Sequence, residues 1–146
     1  MTRTSVQPSR DPADYAFVHG LRTRFAETDA MGVVHHAAYL PWLEEARVAY
    51  LRALGRPYGD VRAGGTDLAV IEAHIAYRNP ARFDDEITVG LAIGEVRGST
   101  FQIGYLLARD GEPVATAVTV HACLDAATGR PQRAPAWLAA TATTLP

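Results

Sequence analysis

The spacing of apolar residues changes period twice along this chain, and each change marks an element. From Phe17 to Thr28 the residues alternate, with Leu21, Thr23, Phe25 and Glu27 on one face and Arg22, Arg24 and Ala26 on the other. That is the period of a strand. From about Ala38 to Leu54 the spacing becomes three or four: Tyr39, Leu43, Ala46, Tyr50 and Leu54, widened by Trp42, Ala49 and Ala53. Glu44, Glu45, Arg47 and Arg52 form the wetter side of the predicted helix. Pro41 is tolerated only in a first turn, so the helix begins near 37–40. Gly55 followed by Pro57 stops it. So wide a stripe predicts a helix deeply embraced by the rest of the fold.

Beyond the helix lies a glycine-rich stretch, 59–66, read as a loop, and from Leu68 to Asp125 the period is that of strands. Ile71, Ala73, Ile75 and Tyr77 alternate with Glu72, His74 and Ala76 until Asn79-Pro80 ends the run. Ile87, Val89, Leu91 and Ile93 form the next set, Phe101, Ile103, Tyr105 and Leu107 the third, and Val114, Thr116, Val118, Val120 and Ala122 the last. Asp110-Gly111 between the last two is a hairpin signal. A short helical turn is predicted around Trp137. One strand, one long helix and four strands make an α+β domain. A single sheet on one helix leaves exposed edges, which predicts a homo-oligomer. Residues 1–15, polar and carrying Pro8 and Pro12, read as a flexible tail, and 16–146 as one domain.

Composition narrows the chemistry. The formal charge of −2 gives no general attraction to nucleic acid or membrane. All 14 basic residues other than histidine are arginine, which excludes lysine Schiff-base chemistry and suits phosphate recognition. No Gly-x-Ser-x-Gly elbow is present. The lone Cys123, in an alternating apolar run, reads as a buried, inert thiol. No apolar run reaches the length of a membrane span, and the first dozen residues lack the apolar core of a secretory leader. A cytoplasmic protein is expected.

The densest chemistry lies where strand gives way to helix. Glu27-Thr28-Asp29-Ala30-Met31-Gly32-Val33-Val34-His35-His36-Ala37-Ala38-Tyr39 places a carboxylate, a glycine and two imidazoles at a helix start. An acid there faces the partial positive charge of the helix end, an arrangement suited to a polarised carbonyl. The simpler reading is that Asp29 organises a turn. Adjacent histidines are expected to point apart, which argues against a two-histidine metal site. Glu44 and Arg47 are spaced for an intrahelical ion pair.

Thr28-Asp29, Gly32, Val33-Val34, His35-His36, Tyr39 and Glu44-Glu45-Ala46-Arg47, then Tyr77-Arg78-Asn79-Pro80-Ala81-Arg82-Phe83-Asp84-Asp85 and Thr128-Gly129-Arg130-Pro131, occur in the order found in the hotdog-fold acyl-CoA thioesterases. The chain resembles that family over roughly 18–135. It is most similar to the 4-hydroxybenzoyl-CoA thioesterase branch, including the thioesterases encoded beside Tol–Pal genes. It departs from some of those at Phe25, where they carry tyrosine. The resemblance implies an antiparallel sheet wrapped around one long central α-helix. It implies Asp29 as nucleophile or general base, with Gly32 giving close approach. Backbone N–H groups near His36 and Ala37 become an oxyanion hole, and the His36 imidazole an orienting group.

Tyr39, Ser99 and the arginines Arg82, Arg97, Arg130 and Arg133 become candidates for contacts to substrate and its CoA phosphates. His35, His74 and His121 read as packed or interface residues. No metal or redox cofactor is implied, coenzyme A being part of the substrate. The implied partners are an acyl-CoA and further copies of the chain, a dimer at least and a tetramer by analogy. Two rival functions are a hotdog hydratase or dehydratase, which would carry Asp-x-Asn-Pro-x-His where this chain has Asp29-Ala30-Met31-Gly32-Val33-Val34, and a non-catalytic acyl-CoA-binding module.

Overall fold

A computed structural model describes residues 2–142; Met1 of the expected tail and residues 143–146 of the expected domain lie outside them. Five strands form one antiparallel sheet: β1 (Phe17–Arg22), β2 (Thr66–Tyr77), β3 (Glu86–Arg97), β4 (Thr100–Arg109) and β5 (Glu112–Asp125). Their order is β1-β3-β4-β5-β2, so β1 and β2 are the edges. Helix α1 (Tyr39–Ala53) joins the first edge to the short α2 (Tyr58–Ala63), and α3 (Ala136–Thr141) follows the sheet. No described helix is long and apolar enough to cross a membrane.

The predicted helix forms almost where the period placed it. Pro41 falls in the first turn. At the other end Gly55 takes φ +73°, and the Arg56 and Gly55 N–H groups reach the Leu51 and Arg52 carbonyls. This is a Schellman cap, which needs a left-handed residue and so favours glycine. Tyr39, Trp42, Leu43, Ala46 and Leu51 are buried. Leu43 and Ala46 belong to one apolar cluster with Leu91, Ile93, Ile103, Tyr105, Leu107 and Ala117 of the sheet. The β4–β5 hairpin turns on Asp110 (φ 51°) and Gly111 (φ 80°), the two positive angles of a type I′ turn.

Several expectations are corrected. The first strand stops at Arg22 instead of running to Thr28. Thr23 turns inward and exchanges hydrogen bonds with Asp85, and residues 25–27 form a turn in which the Glu27 side chain accepts from the Arg24 N–H. Phe25 therefore points outward, 76% exposed, edge-on to Phe83. Part of the 59–66 loop is helical, as α2. In β2 a bulge between Val70 and Glu72 interrupts the alternation through Ile71.

Residues 2–15, read as a loose tail, lie against the sheet face opposite α1. The Ser5 and Val6 N–H groups donate to the Gln102 side-chain oxygen. Buried Tyr15 clusters with Ala92, Leu106 and Ala108. Gly90 and Gly94 make room: a Cβ on either would come within 2.9 Å and 2.8 Å of Tyr15 and Val6 respectively.

Candidate active site

The loop from β1 to α1 is held at the β3 end of the sheet. The Val34 N–H donates to Ala81 at 2.7 Å, and Thr28 pairs with Val34 as an isolated antiparallel bridge. Between them the chain reverses: Asp29 N–H donates to Val33 O (2.9 Å) and Gly32 N–H to Asp29 O (3.0 Å). Gly32 makes this possible with φ +76°, an angle glycine adopts without cost. The Asp29 carboxylate takes part, since its Oδ1 accepts from the Met31 N–H at 2.8 Å. Asp29 is thus the turn organiser of the simpler reading, and the same bond fixes the carboxylate while Oδ2 makes no hydrogen bond among the described residues.

Residues 36–38 form a tight turn that runs directly into α1. The Ala37 N–H donates to the His35 Nδ1 at 3.1 Å, and the His36 N–H has no hydrogen-bond partner among the described residues. His35 is exposed within the single protomer, where it caps the turn, and so is not a core residue. The two imidazoles, expected to diverge, stack with centroids 4.2 Å apart and planes at 28°. Tyr77, the last residue of β2, donates its hydroxyl to the His36 carbonyl at 2.9 Å and meets Tyr39 edge-on at 5.1 Å. Asp29, His36, Tyr39, Tyr77 and Arg78 line one open depression of about 310 Å³. Of the residues joined by the sequence, Asp29, His36 and Tyr39 share this depression, while Gly32 and Ala37 sit beside it in the turns that hold Asp29 and His36.

The candidate CoA contacts are not all joined. Arg82 lies at the Asp29 end, where its backbone N–H donates to Asp85. Arg97, ion-paired with Glu95 at 3.0 Å, and Ser99, whose carbonyl accepts from Cys123, sit at the β3–β4 turn. Arg130 and Arg133 are in the C-terminal segment, which meets that turn through the Ala134 N–H and the Gly98 carbonyl. The twelve residues of β3 separate this end from the Asp29 end, a span of roughly 36 Å in extended chain. Within one protomer these four do not converge on the depression.

A larger cavity, about 400 Å³, lies further along α1 between Glu44, Arg47, Leu51, Phe101 and His121. Val70, on its wall, is seven residues back along β2 from Tyr77, roughly 20 Å. Arg47 is half-buried and donates to the Tyr105 hydroxyl at 3.3 Å. The expected Glu44–Arg47 ion pair does not form among the described residues, because Arg47 turns inward. His121 is buried, as expected; burial and the Arg47 charge push its pKa down to about 3. His74 is exposed in the single protomer, beside Glu72, and so is not a core residue. Burial pushes the Cys123 thiol up to about 11, consistent with an unreactive sulfur.

The sequence reading missed Tyr77 as a clamp on the helix start, and it missed Glu27. Trp42 carried a signal for the latter: a buried indole N–H needs an acceptor. It donates to Glu27 at 2.7 Å.

The model of the thioesterase-like superfamily matches residues 23–141. A 1,4-dihydroxy-2-naphthoyl-CoA hydrolase of Synechococcus elongatus is 36% identical over 137 residues, covering 89% of this chain and 98% of its own. The acyl-CoA thioesterase YbgC of Haemophilus influenzae is 33% identical, covering 77% of this chain and 83% of its own. Among solved structures, a protein of Aquifex aeolicus superposes with a TM-score of 0.81 at 32% identity, over 87% of this chain and 99% of that one. The match runs from the buried Thr23, just after β1, across β2 to β5 and to the last residue of α3, and the chain belongs to the thioesterase-like superfamily.

Proposed function

We propose that this protein hydrolyses an acyl-CoA thioester to a free carboxylic acid and CoA. The observation that carries this reading is the depression that holds the Asp29 carboxylate and the start of α1 together. Asp29, by attacking the carbonyl carbon or by taking a proton from water, supplies the nucleophile. The His36 and Ala37 N–H groups receive the charge that develops on the carbonyl oxygen. For Ala37 this means exchanging the His35 Nδ1 for the substrate oxygen. The carbon–sulfur bond then breaks and the thiolate leaves as CoA, taking up a proton. On the aspartate-attack route, water afterwards hydrolyses the acyl anhydride.

The fold supports a hotdog reading in which the sheet embraces α1 and two copies join through an exposed edge. In such an assembly Arg97, Ser99, Arg130 and Arg133 of one protomer can serve the Asp29 depression of its partner, which their distance within one chain otherwise prevents. The names of the Synechococcus and Haemophilus relatives support a CoA substrate, and the motif order supports a reading on the 4-hydroxybenzoyl-CoA branch with its Tol–Pal-linked members.

Thiol release from a panel of aromatic, short-chain and long-chain acyl-CoAs, with wild type beside Asp29→Asn, tests the proposal. Turnover by wild type and its loss in the variant support it. Near-full activity of Asp29→Asn refutes the aspartate mechanism. Binding without turnover of any thioester favours an acyl-CoA-binding module.

A further inference from the structure

Glu27 touches both halves of the proposed site without lining it. Its side chain is nearly covered, at 9% exposure, with the Arg24 guanidinium 3.4 Å away. Its carboxylate accepts from the Trp42 indole N–H at 2.7 Å and from the Arg24 N–H at 2.7 Å. Its backbone carbonyl accepts from the His35 N–H at 2.7 Å. One residue thus ties together the loop carrying Asp29 two positions on, the first turn of α1 through Trp42, and the residue just before the His36 N–H. Trp42 is 4% exposed and packs tilted against Tyr39 at 4.9 Å, so its indole is held by that ring as well as by the Glu27 carboxylate.

Hydrogen bonds to a charged acceptor are stronger than neutral ones, and a nearly buried carboxylate uses them to offset its lost hydration. Burial pushes the Glu27 pKa up. The Arg24 N–H, the indole and the Arg24 guanidinium outweigh that and hold it below the ordinary range. The group is an anion locked in a small cage between the two parts of the site.

We infer that Glu27 is a positioning residue: through Trp42 and the His35 N–H it sets the placement of the Asp29 carboxylate relative to the N–H groups at the start of α1. This rests on the thioesterase reading. A small displacement of reacting groups is costly; about 1 Å lowers rate on the order of 100-fold.

The test compares wild type, Glu27→Ala and Glu27→Gln with benzoyl-CoA and octanoyl-CoA, together with ¹H–¹⁵N spectra of each protein. Glu27→Ala is expected to lower kcat by about 100-fold with KM changed less than about threefold. Glu27→Gln keeps an oxygen for the indole and is expected to recover most of that loss. The Trp42 indole N–H and the backbone resonances of 29–37 are expected to move in the alanine variant and to return in the glutamine one. A merely structural role lowers the melting temperature but leaves the kcat of folded protein and the glutamine rescue unmoved. A change confined to KM, or unmoved resonances over 29–37, overturns the inference. Should wild type hydrolyse neither thioester nor any other acyl-CoA of the panel above, the thioesterase reading fails, and the spectra still decide the positioning claim. If Glu27→Ala does not fold, Trp42→Phe breaks the same link and is expected to show the same kcat loss; unchanged kcat there overturns it.

Discussion

The Tyr77 hydroxyl donates to the carbonyl of His36 at 2.9 Å, and that carbonyl shares its peptide plane with the Ala37 N–H. A hydrogen bond accepted by one end of a peptide polarises the donor at the other. The end of the edge strand therefore both places and strengthens a proposed oxyanion donor. Tyr77→Phe is expected to lower kcat about three- to tenfold with a smaller effect on KM, the range that one net hydrogen bond supplies. Steady-state kinetics check this; a change in KM alone contradicts it.

Asp29 has two roles that substitutions separate. Asn at this position retains an oxygen for the Met31 N–H, whereas Ala does not. Both variants are expected to lose turnover by at least about 100-fold. Only Asp29→Ala should also lose stability, by about 1 kcal/mol, the worth of one hydrogen bond. Thermal or urea unfolding of the two beside wild type measures the difference.

His121 reports on the core through its protonation. Its folded pKa is pushed down to about 3, while an unfolded histidine titrates near 6.5. Between those values the unfolded chain binds more protons at this site, so stability rises with pH through the window and is lost as pH falls below about 6.5. The melting temperature of His121→Phe, which keeps an aromatic ring against Phe101, is expected to fall less steeply than wild type from pH 7 to pH 5. In wild type the His121 ring resonances should stay fixed over that range. A midpoint near 6.5 would falsify the assignment.

The N-terminal segment supplies a separate test. A side chain at Gly90 collides with the Tyr15 ring at 2.9 Å, and overpacking of this kind costs about 1–3 kcal/mol. Gly90→Val is expected to displace residues 2–15 from the sheet face and open them to limited proteolysis. Unchanged cleavage beside wild type would show that the segment does not depend on this contact.

Local chemistry makes much of this legible in the sequence. The stop at Gly55, the turn at Asp110-Gly111 and the start near Pro41 each depend on backbone angles that a few neighbouring residues dictate. The junction from Asp29 to Tyr39 was legible for the same reason: turn, glycine and helix start are contiguous. Alternation misled at Phe25 and Glu27, because a short turn and a strand can share a period over a few residues.

What the chain determined by itself is the order and type of its elements and the place of Asp29 beside a helix start, since periodicity and turn preferences act within a turn or two of backbone. Only the tertiary structure decided which polar groups meet across elements. The indole of Trp42 found Glu27, Arg47 turned to Tyr105 instead of Glu44, and the hydroxyl of Tyr77 reached the peptide of His36. It also set Arg97, Ser99, Arg130 and Arg133 at the far end of β3 from Asp29. Such pairings depend on strand register and helix rotation, which arise from packing over the whole sheet and which no local spacing encodes.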